Sequence, residues 1–147
     1  MIIALVIAGA MNMKVTPAVQ QTPVVTATPV KSVRPSVDLY VMAFCPYGTQ
    51  AEAVMSPVVS LLRDTADIRV RYITTVTGTT VDSVDSLHGI PEAEEDLQQI
   101  CINRYYPGKY WAYLEAFNDA CYPAWQNAAA LASCRKRLMR SVLAEIS

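Results

Sequence analysis

From Pro17 to Pro35 a proline stands at every sixth position: Pro17, Pro23, Pro29 and Pro35. Proline fixes φ and has no N–H to donate, so this stretch can neither continue as a helix nor complete a sheet ladder. A packed core must be built from the residues beyond Pro35. The intervening residues are mainly Val and Thr, and an extended, polyproline-like spacer is expected over residues 14–36. Upstream, Met1 to Met11 is apolar throughout and shorter than the roughly 20 residues of a membrane-spanning helix. It reads as an export signal or membrane anchor over residues 1–13, although Lys14 comes after the run instead of before it. The expectation is an extracytoplasmic domain, 37–147, secreted or membrane-associated through its N-terminus.

The 147 residues are 52% hydrophobic and only 17% charged, which suits one buried core and excludes a charged disordered tail as the main body. Twelve Lys and Arg against thirteen Asp and Glu give a net charge of -1, so nothing supplies the positive field that a phosphate backbone requires. Nucleic acid is not an expected partner. A single histidine, His88, and the lack of any Cys-x-x-Cys pair leave no zinc-like ligand set, so no metal is expected.

Val37 to Ala43 is β-rich and ends at Cys45-Pro46-Tyr47-Gly48; from Thr49 to Arg63, Ala51, Val54, Val58, Leu61 and Leu62 recur at helical intervals. Ile68 to Val76 alternates apolar and polar residues as a second strand, and strand, helix, strand in this order predicts a right-handed parallel unit. Thr77 to Leu87 reads as a polar loop. Three helices come next, over Pro91 to Arg104, Lys109 to Asn118 and Ala124 to about Ile146. Tyr105, Tyr106, Tyr110, Trp111, Tyr113 and Phe117 fit interhelical packing better than a binding face, and Arg135, Lys136, Arg137 and Arg140 fit a solvated helix face.

The chemistry is concentrated at Cys45. A cysteine that ends a strand and is followed by proline at the first helical position sets its sulfur at a helix N-terminus, where free N–H groups and the macrodipole favour an anionic nucleophile. Strand, Cys-Pro-Tyr-x and long helix resemble the active-site opening of the thioredoxin-like superfamily, especially its DsbA-like members. A second stretch, Ser86-Leu87-His88-Gly89-x2-Glu92-Ala93-x2-Asp96-x4-Cys101, is similar to the signature C-Q-H-G-x2-E-C-x2-N-x4-C of the gamma-interferon-inducible lysosomal thiol reductases. His88, Gly89, Glu92 and Cys101 are in register, whereas Ser86, Leu87, Ala93 and Asp96 depart from it.

The resemblance implies an α/β thioredoxin-like domain with a large helical insertion, acting on protein or small-molecule thiols and disulfides through Cys45, with His88 as an accessory residue and no resident cofactor. Gly48 stands where dithiol members carry their second cysteine, so turnover is expected to require an external thiol such as glutathione or another cysteine of the chain. Nothing after Pro123 reads as the β-hairpin that normally closes such a sheet, which keeps open a non-catalytic binding module or a truncated, degenerate member. If the three helices run up, down and up, Cys134 returns to the level of Cys101, and a Cys101–Cys134 bridge is expected with Cys121 unpaired.

Overall fold

A computed structural model describes residues 34–144. The segments expected to be a signal or anchor, 1–13, and nearly all of the spacer, 14–36, lie outside the described residues. The fold begins slightly earlier than Val37: the Arg34 guanidinium donates to the carbonyls of Arg63 and Ala66, and Asp67 N donates to Pro35 O at 2.8 Å.

The architecture is mixed α/β. Strand β1 (Ser36–Val41) leads into helix α1 (Pro46–Leu62), and β2 (Asp67–Tyr72) returns parallel to β1 with Ser36 opposite Asp67 and Val41 opposite Tyr72. The sequence alternation to Val76 is not one strand. It breaks at Ile73 and Thr74, and β3 (Thr75–Val76) turns back to pair antiparallel with β4 (Val84–Asp85). The stretch read as a polar loop therefore contains β4 and, before it, a 3-10 turn over Val81–Ser83. Helices α2 (Ile90–Tyr105), α3 (Tyr110–Ala120) and α4 (Ala128–Leu143) complete the described chain, and no strand follows β4 among the described residues.

The core joins the end of β1 to the three later helices. Val41, Ala43 and Phe44 pack with Val70, Ile102, Tyr110, Tyr113, Leu114, Phe117, Cys121, Leu131 and Cys134. Tyr110, Tyr113 and Phe117 thus serve packing, whereas Tyr105 and Tyr106 are exposed. Helix α1 has the expected period, but its fully buried positions are Gly48, Glu52 and Ser56; Ala51, Val58 and Leu62 are half-buried, and Val54 and Leu61 stand in solvent. Gly48 explains this orientation. A Cβ there would lie 3.0 Å from the Met42 carbonyl and 3.3 Å from Val41 Cβ, so the absence of a side chain is what lets α1 sit this close to the end of β1.

The expected Cys101–Cys134 bridge is wrong. Cys121 and Cys134 are joined, Cα to Cα 5.5 Å, and Cys101 is free and exposed. The hairpin estimate failed because α4 begins at Ala128, after a 3-10 turn over Tyr122–Ala124, instead of at Ala124. Cys134 is then only six residues into the helix, about 9 Å along its axis, and stays near the level of Cys121 at the end of α3. Closing this short loop stabilises the fold by about 3 kcal/mol on the chain-entropy model. Arg135 also departs from a solvated role: its Nε pairs with the buried Glu95 at 2.7 Å and its Nη1 with Glu94 at 3.3 Å, tying α4 to α2.

Candidate functional site

Cys45 is the N-cap residue of α1, in extended conformation, with Pro46 opening the first turn. Its N–H donates to Met42 O and its carbonyl accepts from Thr49 N, both at 3.0 Å, so the β1–α1 turn is fixed by its own backbone. The side chain is partly exposed, and the neighbouring Tyr47 lies open to solvent. Cys45 thus stands at the start of a 17-residue helix, the position that the strand end and the following proline predicted for it.

The first turns of α2 hold this turn from the other side. Phe44 N donates to Glu92 Oε1 at 2.8 Å, and Ala43 N donates to Asp96 Oδ1 at 3.1 Å. Glu92 is fully buried and accepts three further bonds, from Ser86 Oγ at 2.7 Å, His88 N at 2.9 Å and His88 Nδ1 at 2.8 Å. Burial alone would raise its carboxyl, but the bonds from Ser86, the His88 backbone, the Phe44 backbone and the His88 ring together hold it below the ordinary carboxylate value. One ionised oxygen pair therefore fixes both the residue before Cys45 and the entry to α2. That entry needs Gly89, whose φ of 79° and ψ of -165° fall where only glycine is unstrained.

His88 is turned into this cluster. Its ring packs edge-on against Trp125, centroids 5.2 Å apart, and is tilted 6.4 Å from Phe44. Its Nδ1–H donates to the Glu92 carboxylate at 2.8 Å, which fixes the orientation of the ring. Its contacts are with Glu92, Phe44 and Trp125, which makes it a residue that positions the Cys45 turn. The departures Ser86 and Asp96 have structural work as well, since one hydrogen-bonds Glu92 and the other holds Ala43.

Sequence reasoning met Glu92 and Asp96 as members of a signature and missed the burial of the α2 acids. Glu92, Glu95, Asp96 and Gln99 recur at three- and four-residue spacing and form the inward stripe, continued by Ile102. The signal was present as a polar stripe in register with an apolar position on the same helix face. Glu95 accepts from Gln99 Nε2 and Tyr113 Oη, each at 3.0 Å, and pairs with Arg135; burial outweighs these partners and pushes its carboxyl up to about 7. Asp96 is likewise pushed up to about 7, by burial first and by the charges of Glu92, Glu95 and Glu52, against the Ala43 bond. Tyr72 Oη donates to Gln99 and meets Tyr110 Oη at 2.8 Å, and burial raises both phenols.

Cys101, in register with the last cysteine of the signature, projects from the outer side of α2 and does not join the Cys45 turn. A cavity of about 530 Å³ opens beside the turn, lined by Met42, Ile73, Thr74, Thr75, Asp85, Ser86 and Leu87. It joins the residue at the end of β1 to the β3–β4 ribbon, a concave surface adjacent to the cysteine turn. No protein-family model, curated protein or solved structure matches this chain.

Proposed function

We propose that the chain is a thiol–disulfide oxidoreductase of thioredoxin-like type, acting through Cys45 alone. The observation that supports it is the union of two distant motifs in one turn: Cys45 at the helix N-terminus, and Glu92 and Asp96 bound to the backbone of the two residues before it. Rigid presentation of one reachable sulfur is what exchange chemistry requires. The Cys45 thiolate attacks one sulfur of a substrate disulfide; a mixed disulfide forms, the substrate S–S bond breaks, and the departing thiolate takes a proton from water. An external glutathione then attacks Cys45 Sγ and releases the second substrate thiol. A second glutathione frees Cys45 and leaves as oxidised glutathione, so two glutathiones supply the two electrons. The Cys121–Cys134 bridge fits an oxidising, extracytoplasmic setting, with the N-terminal segment as the membrane attachment.

The test is turnover of a mixed-disulfide substrate with and without glutathione. Wild type should cycle with glutathione and stop at one equivalent of Cys45 mixed disulfide without it, and Cys45→Ser should do neither. Gly48→Cys would set its Cβ 3.6 Å from Cys45 Cβ, within disulfide range, and should allow resolution without glutathione once the Met42 carbonyl shifts by a few tenths of an ångström. Activity retained in Cys45→Ser, or wild-type turnover with no mixed species, would refute the proposal and favour the binding module.

A further inference from the structure

Between α1 and α3 lies a cavity of about 270 Å³, lined by Glu52, Ala53, Trp111, Leu114, Glu115, Asn118 and Asp119. Three carboxylates line it, and no Lys, Arg or His does. Glu52 is 3% exposed, and Asn118 Nδ2 donates to its Oε2 at 2.7 Å. Its Oε1 and Asn118 Oδ1 are both buried without a hydrogen-bond partner among the described residues. Buried acceptors are nearly always given a donor, so two without one in a single cavity mark a place where donors are missing. Ala53 also lines the cavity, and Pro57, which has no N–H, cannot give the Ala53 carbonyl its usual helical bond. Glu115 is engaged by the Ser56 hydroxyl and, like Asp119, stands exposed.

We propose that this cavity binds the primary ammonium group of a short alkylamine. An ammonium has three N–H donors and no acceptor, and it meets the Glu52 and Asn118 oxygens in kind. Its charge answers the acidic lining, and the Trp111 indole offers a wall for the cation and its methylene stem. A quaternary ammonium lacks N–H donors and does not suit this lining. A metal ion does not suit it either, because among the described residues no three His, Cys, Asp or Glu side chains converge closely enough to hold one. The volume is small by the standard of ligand sites, which fits an amine of a few carbons. The raised Glu52 carboxyl, pushed up to about 7 by burial against the Asn118 bond, is consistent with an acid whose countercharge comes from a ligand. Cys45 is not part of this lining, so the site stands apart from the exchange chemistry.

The experiment is titration of the full-length, isotope-labelled chain at pH 8 with n-butylammonium, 1,4-diaminobutane and an N-acetyl-lysine methylamide, reading the Trp111 indole and Asn118 carboxamide signals by NMR. Saturable shifts at both groups are expected with the primary amines, and none with tetramethylammonium or sodium at equal ionic strength. Glu52→Gln should weaken binding by about tenfold or more, as for a lost charge-assisted hydrogen bond. Asp119→Asn, an exposed change that leaves the fold intact, should weaken it about two- to fivefold. A diamine that binds more tightly than the lysine derivative identifies free amines as the source, and the reverse order identifies a lysine side chain. Shifts equal for tetramethylammonium and butylammonium, or affinity unchanged in both variants, would overturn the site and leave the two acceptors to water.

Discussion

Glu92→Ala is expected to cost the domain about 4 kcal/mol and to abolish the exchange activity proposed for Cys45. The substitution removes a carboxylate that accepts from Phe44 N, Ser86 Oγ, His88 N and His88 Nδ1, and it leaves those donors in a site with no exposed surface at Glu92. Each buried donor left unmade costs about 1–3 kcal/mol, less where water enters the vacated space, so the sum stops short of four full penalties. Glu92→Gln keeps one oxygen but turns an NH2 toward the remaining donors, and about 2 kcal/mol is expected. Urea denaturation followed by circular dichroism measures both. A loss below about 1 kcal/mol for Glu92→Ala would mean that the cluster does not hold the turn.

The second large effect is on pH. Glu52, Glu95 and Asp96 are each pushed up to about 7 by burial, whereas an unfolded chain titrates them near the ordinary carboxylate value. Between about pH 4.5 and pH 7 the folded state therefore binds more protons than the unfolded state. The stability this contributes is fully present below the unfolded pKa and is lost as pH rises through the folded one. One proton retained over two pH units is worth about 2.7 kcal/mol, or a Tm change on the order of 10 °C for a domain of this size. Glu92 works in the opposite direction. Its folded carboxyl titrates below the ordinary value, so its contribution is present above that value and disappears as pH falls through the lowered one. Thermal melts should thus be highest near pH 5 and fall on both sides. A Tm that increased steadily from pH 5 to pH 8 would show that the three acids are ionised and compensated in the folded state.

The β1–α1–β2 unit and the three later helices were legible because each is a local pattern: a β-rich run, a proline at a helix start, apolar residues at helical spacing. Cys45 was legible for the same reason. What periodicity did not reveal was direction. Helix α1 has the right period, but Gly48, Glu52 and Ser56 face inward and Val54 faces out, because the contact at Gly48 decides which side can approach β1. The disulfide failed on a boundary: four residues of 3-10 turn and loop before α4 moved Cys134 from the level of Cys101 to that of Cys121. Glu92 and Asp96 were visible in a motif, yet their task of holding the Phe44 and Ala43 amides requires contacts 48 and 53 residues apart in sequence. No local pattern encodes such a pairing. His88 stands at the entry to α2, as a lone histidine before a glycine suggests, but the carboxylate it meets was not legible.

With Cys121 and Cys134 joined, the free thiols are Cys45, partly exposed, and Cys101, exposed. Access alone would favour Cys101, and the chemistry of a helix N-terminus favours Cys45. Limiting iodoacetamide at neutral pH, followed by peptide mass mapping, separates the two: Cys45 should be alkylated first, with Cys101 labelled only as reagent approaches excess. Labelling of Cys101 ahead of Cys45 in the folded protein would contradict the assignment of Cys45 as the nucleophile.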